Sequence, residues 1–421
     1  MSNRALLLAA LSLCAPSAIA GDWPHWRGPE RDGTSRETGL PLRWSETENV
    51  IWKLPLPDRS GATPIVTGDH VFLNVADGER LALWAVDRRS GNKLWERELG
   101  GGNQRMQKQN MSSPSPVTDG ERVVVATGTG LVESFDLEGG EQWGRDLQAD
   151  YGAFGLNWGY ASSPLLDGDV VYVQVLHGMK TDDPSYVLCL EAGTGATRWR
   201  VERQTPAVME SPDSYTTPLL VSVDGGRELI VSGGDVVTGH DPATGEELWR
   251  IDALNPERRP NYRIVASPVA AGGLVVVPSR VRPLLAVRPG GRGDATGSHT
   301  VWSWDDGPDV PTPVSDGELL YIVDDKGIAS ALELETGEPV YQNQRLAPGT
   351  YSASPVLAEG RIYVTSEDGV TSVYGAGREF ELLAQNTLGG FTLSSVAISD
   401  GRLFLRNANA LYCVGTGSPG D

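Results

Sequence analysis

The sequence predicts an all-β fold: an eight-bladed β-propeller of four-stranded antiparallel blades, closed by the N-terminal strand completing the last blade. Three observations predict it. A phrase recurs eight times along the 421 residues, a Ser/Thr/Ala-Pro opening, a Gly-Asp-type turn, a run of Val, Ile and Tyr, then Thr-Gly and a Trp. A large aromatic returns at one position of the phrase, and the strands left over at the two chain ends complement each other.

The openings fall at Pro64, Pro116, Pro164, Pro218, Pro268, Pro313 and Pro355, with Val396 in the degenerate eighth copy. Their spacings run from 41 to 54 residues, the length of one four-stranded blade. Each copy reads as strands A to D. In the first, IVTGDHVFLNV gives A and B around a tight Gly-Asp turn, LALWAVD gives C, and KLWERE gives D.

Trp52, Trp95, Trp143, Trp199, Trp249 and Trp302 share the D-strand position, and Tyr341 and Leu383 take it in two further copies. Six of the twelve Trp residues at one repeat position need a common cause, and docking of one blade on the next supplies it. A buried Trp removes about 150 to 250 Å² from water, roughly 4 to 6 kcal/mol gross. Between strands C and D, an acidic residue (Asp87, Asp241, Glu333) stands four before a Gly (Gly91, Gly245, Gly337). Such a carboxylate accepts from turn amides while the Gly supplies positive φ, so these acids are read as structural.

A D-type strand around Trp52 precedes the first opening, and the chain ends on a C-type strand, ALYCVG, with no D strand after it. Pairing the two completes the eighth blade and removes the open sheet edges. The organisation expected is a signal peptide at 1–20, an arm at 21–48, the propeller at 49–415 and a tail at 416–421.

Residues 1–20 carry one early Arg4, an apolar run too short to span a membrane, and Ala18-Ile19-Ala20 before Gly21. Cleavage near Ala20 and a periplasmic or secreted location are expected. Leu13 before Cys14 argues against lipidation. Cys189 and Cys413 occupy equivalent positions of blades three and eight, too far apart for a disulfide, and read as small core residues. The formal charge of −20 without a basic stripe argues against nucleic acid and anionic membrane surfaces.

Loop length marks one face. Strand alternation puts the A–B and C–D turns on one side of the disc and the D–A and B–C connections on the other. The D–A connections entering blades two to five are the long ones, and HGMKTDDPSY (177–186) lengthens a B–C connection on the same side. Extra loop on a rigid scaffold is where binding usually resides. Asn110, Asn157, Trp158, Tyr160, His177, Tyr215, Tyr262, Arg263 and Tyr351 are therefore the expected binding residues, with no catalytic and no metal-ligating residue among them. The five histidines show no zinc-ligand spacing. No nucleophile elbow, H-E-x-x-H or P-loop occurs. The stretch GRGDATG (291–297) reads as a long C–D hairpin of blade five.

The phrases LCLEAGTGATRW, GHDPATGEELW and ALELETGEPVY resemble the pyrroloquinoline-quinone (PQQ)-type propeller repeat, over about Asn49 to Gly415. That repeat is shared by quinoprotein dehydrogenases and by the propeller lipoprotein of the outer-membrane β-barrel assembly machinery. The arm WPHWRGPERDGTS (23–35) is similar to the opening of many exported bacterial propellers of this type. The dehydrogenase resemblance implies a vicinal Cys-Cys disulfide, a Trp floor, calcium ligands and an Asp base. This sequence has no adjacent cysteines, and Asp150, Asp182 and Asp183 have no ligand set beside them.

Two readings follow. One is a non-catalytic, monomeric binding scaffold of the cell envelope, without cofactor, engaging a protein or peptide through the D–A/B–C face. The alternative is a PQQ-dependent oxidoreductase, with calcium and an atypical site. The missing cofactor machinery favours the first.

Overall fold

The computed structural model describes residues 21–416. Eight antiparallel sheets surround one axis, each with its four strands in A-B-C-D order. The first blade is Ile65–Thr67, His70–Asp77, Arg80–Asp87 and Lys93–Glu98. The eighth is Ala397–Ser399, Arg402–Arg406 and Ala410–Val414, completed by Val50–Pro55 from the other end of the chain. Trp52 lies opposite Cys413 in that antiparallel pair. The predicted closure is the one observed.

Strands B and C are almost wholly buried while the D strand of the same blade is exposed to half-buried, as expected for sheets covered on both faces near the axis and half-covered at the rim. Two blades carry a fifth strand. Thr34–Ser35 of the arm pairs in parallel with the A strand of blade seven, Val356–Ala358. Gly293–Asp294, within the long C–D connection of blade five, pairs in parallel with Glu247–Ile251 of blade four.

Five of the eight blade junctions share one repeated contact at the rim. The indole N–H of Trp52 donates to Arg88 O of the next blade at 2.9 Å, and Trp95, Trp143, Trp199 and Trp302 do the same to Leu137, Ala192, Pro242 and Leu334. Each acceptor follows the acidic residue of a C–D turn. Each of these indoles also lies against the turn glycine of the neighbouring blade, Gly91, Gly139, Gly195, Gly245 or Gly337, where an added Cβ would come within 2.5 to 2.9 Å of the ring. The carboxylate holds the turn from inside: Asp87 Oδ1 accepts from Ser90 N at 2.7 Å.

Trp249 departs from the expectation that all six tryptophans are alike. Blade five has no acid at this turn and a longer C–D connection, so no equivalent carbonyl is presented. The Trp249 indole instead lies over Gly239 of its own blade and donates to Glu228 Oε2 at 2.8 Å, which also accepts from Gly290 N at 2.9 Å. One buried carboxylate replaces the missing turn.

Gly91 and Gly78 both have positive φ, 74° and 59°, but only Gly91 faces an indole. Gly78→Ala should cost about 1–2 kcal/mol of backbone strain. Gly91→Ala should cost about 1–3 kcal/mol more, since the Trp52 ring must shift. Urea unfolding of the two variants measures the difference; equal losses would remove the docking role from this contact.

Candidate functional site

The residue before each opening is Ser or Thr: Thr63, Ser115, Ser163, Thr217, Ser267, Thr312, Ser354 and Ser395. The following Pro, present in seven, holds that residue extended, so its own N–H points sideways to the next blade. There it meets the next hydroxyl oxygen. Thr63 N donates to Ser115 Oγ, Ser115 N to Ser163 Oγ, Thr217 N to Ser267 Oγ, Ser267 N to Thr312 Oγ1, Thr312 N to Ser354 Oγ, Ser354 N to Ser395 Oγ and Ser395 N to Thr63 Oγ1, at 2.9 to 3.1 Å. Seven of the eight links are made; the one from Ser163 to Thr217 is not. The seven accepting residues are only 1 to 5 % exposed.

This ring surrounds a cavity of about 490 Å³ lined by residues of all eight blades, which places it on the axis. Toward the D–A face the lining continues through residues such as Ala161, Tyr215, Val265 and Leu393, then Lys108, Trp158, Arg263, Asp309, Asp325 and Lys326. Trp26 of the arm lines it as well.

The arm runs across the opposite, A–B face and closes the axis there. Trp23 pairs with Val66 of blade one, Pro24 O accepts from Thr118 N of blade two, and Arg31 reaches Leu166 O and Asp167 of blade three. Arg27 donates to Pro313 O of blade six and Pro355 O of blade seven, both at 2.7 Å. Its guanidinium is buried, which lowers its pKa to about 10, so it stays charged at neutral pH with carbonyl oxygens as its partners. The cavity is thus a cup, floored by the arm and open toward the long loops.

Of the nine residues expected to bind, Trp158, Tyr215 and Arg263 line the cup. Asn157 lies beside Trp158 at the rim, and both donate to Glu210 Oε1, at 3.2 and 2.7 Å. The other five turn away from it. Asn110 is fully buried, bonding Arg59 O and Ser112 within the loops. Tyr160 packs on Phe154, and Tyr262 and Tyr351 donate to the backbone oxygens of Arg282 and Ala347. His177 Nδ1 accepts from Gly155 N at 3.0 Å, and burial lowers its pKa. Long loops have many backbone groups to satisfy, and four of these side chains, all but Tyr160, are spent on that.

The sequence reading missed Asp213 and the hydroxyl ring. The ring was visible as Ser/Thr before every opening; Asp213 left no linear signal. Its carboxylate ties three segments together, accepting from Asn157 N at 2.7 Å, Gly178 N at 2.9 Å and Met179 N at 3.1 Å. Lys108 makes another tie, reaching Glu367 of blade seven at 2.6 Å from the loop entering blade two.

Three overlapping stretches, residues 42–174, 128–293 and 291–379, match the family described as outer membrane protein assembly factor BamB. The chain belongs to this family. Among solved structures, BamB from Moraxella catarrhalis aligns with 87 % of this chain and 97 % of its own at 15 % identity, with a TM-score of 0.61. Quinohemoprotein alcohol dehydrogenase from Comamonas testosteroni aligns over 95 % and 81 % at 12 % identity, TM-score 0.69, and a europium-containing methanol dehydrogenase over 93 % and 90 % at 13 %, TM-score 0.71. At such identities these likenesses show the shared propeller. No curated protein sequence matches the chain.

Within this BamB-family propeller, no group of three or more His, Cys, Asp or Glu residues among those described is arranged to hold a metal ion. Cys189 and Cys413 carry free, buried thiols on C strands of different blades, and burial pushes both up to about 12. Among the described residues no helix is long and apolar enough to cross a membrane.

Burial raises Asp213 to about 6. The folded protein therefore takes up this proton before the unfolded chain does as pH falls. Its contribution to stability grows from about pH 6 down to about pH 4, where the unfolded carboxyl also protonates, and is lost as pH rises through 6. Asp213→Asn should flatten that part of the stability–pH curve, measured by urea unfolding at pH 4, 5, 6 and 7. An unchanged slope would show that Asp213 does not titrate there.

Proposed function

We propose that this propeller is a non-catalytic binding scaffold of the cell envelope, on its periplasmic or secreted side, which engages a protein partner through the D–A/B–C face. One observation carries this. Among the described residues, the exposed large hydrophobic side chains outside the D strands are Trp158, Met179, Val208, Met209 and Val281. All five lie on D–A or B–C connections of blades three to five. Leu94, Val301 and Leu382, the other three, are on outer D strands. Exposed aromatic and Met side chains are enriched in protein interfaces, where Met adapts to irregular partners. Family membership supports the same reading, since its description names outer-membrane protein assembly.

The cup's volume suits a small molecule, which favours the second reading, a PQQ-dependent oxidoreductase. The residues present do not fit a calcium-bridged quinone: no oxygen-rich metal cluster lies among those described, and the two described cysteines are not adjacent.

The partner reading predicts that Trp158→Ala/Met209→Ser loses at least tenfold in affinity for a specific envelope protein, while Leu94→Ser keeps it. Quantitative pull-down from envelope extract checks this, and capture unaffected by the double variant overturns it. Saturable binding of PQQ with Ca²⁺, with dye reduction by alcohols or sugars, would establish the oxidoreductase instead.

A further inference from the structure

We propose that the axial cup is a receptor for a carboxylate group, carried by a segment of the protein partner that enters between the long loops; this rests on the rim being a protein-binding face. The argument begins with the hydroxyl ring. A Ser or Thr hydroxyl has one O–H to donate as well as lone pairs to accept. In the seven ring links the oxygen accepts from a neighbouring N–H. None of those seven O–H groups has an acceptor among the described residues, and all seven side chains line the cup. These O–H donors face the open cup and are free to meet whatever brings acceptors to the axis.

Arg263 adds charge to the same wall. Its Nη2 faces Asp309 Oδ2 at 3.3 Å, while its Nη1 is buried without a partner. Asp309 Oδ1 is likewise unpartnered, and burial raises the pKa of that carboxyl. Asp325, the other acid of the lining, already accepts from Asp309 N at 2.8 Å. Free capacity in the cup is therefore mostly donors, with one uncommitted guanidinium nitrogen. A carboxylate is an acceptor-only group that gains charge-assisted hydrogen bonds from such an array. Val265, Val310 and Leu393 give the carbon chain behind it apolar surface.

The test uses the exported chain and four probes in calorimetry: a heptapeptide with a free C-terminal carboxylate and no acidic side chain, the C-terminally amidated peptide with one Glu, the amidated peptide with Gln in its place, and glucose. Saturable binding of either carboxylate probe, at least tenfold tighter than the Gln peptide and glucose, supports the cup as described. Which of the two binds tighter tells a chain terminus from an acidic side chain. Arg263→Gln should weaken it at least tenfold. Thr217→Val, which removes a lining hydroxyl that accepts no ring hydrogen bond, should weaken it about threefold with the fold intact by thermal melting. Equal binding of the neutral peptide or glucose, no saturation by either carboxylate, or indifference to Arg263→Gln would overturn the proposal. If carboxylates fail while Trp158→Ala/Met209→Ser still loses the partner, the cup inference falls and the rim reading stands. Carboxylate binding with partner capture unaffected by that double variant overturns the rim reading, and with it the partner-borne segment proposed here.

Discussion

A ring of eight sheets keeps its shape only if each sheet is fixed against the next, and here that is done at two radii. At the rim, at five of the eight junctions, an indole N–H reaches a turn carbonyl of the following blade while its ring covers a glycine. Near the axis, a backbone N–H reaches a hydroxyl of the following blade. Both contacts are directional, so they set the angle between blades rather than merely filling the space between them. The pairing of Val50–Pro55 with Ala410–Val414 carries both series across the seam between blades eight and one, because it puts Trp52 beside the Arg88 carbonyl and leaves Ser395 N on Thr63 Oγ1.

The axial series also sets the character of the interior. A ring built from apolar side chains would give a dry axis. Building it from Ser and Thr leaves hydroxyl groups facing inward, and the arm then closes one end with a buried, charged Arg27 held by carbonyl oxygens. The arm touches blades one, two, three, six and seven, so it is part of the architecture rather than a leader to it. A polar cup with a single open end follows from these two features together.

The loops around that opening are held by polar side chains, most of them buried. Asp213 gathers three segments, Asn110 and His177 satisfy loop amides or carbonyls, and Lys108 links the loop entering blade two to Glu367 of blade seven. Around these ties, Trp158, Met179, Val208 and Met209 stay exposed on the rim. A rim held in this way would lose little conformational freedom on binding the partner proposed above.

The amino-acid sequence by itself determined the blade count, the four-strand order, the closure and the side of the disc that carries the long loops. These follow from local signals that recur at a fixed spacing, and a repeat that cannot bury its faces alone has to stack. It also held the hydroxyl ring in plain view at Thr63, Ser115 and their equivalents, though only contact between blades shows what those residues join. The tertiary structure alone decided which loop residues face the axis. Tyr215 and Tyr351 look alike in sequence, each a few residues before an opening, yet one lines the cup and the other lies wholly in the core on Gly327. The direction of a loop side chain depends on which backbone groups nearby need partners, and those neighbours come from segments tens of residues away, beyond the reach of any linear pattern.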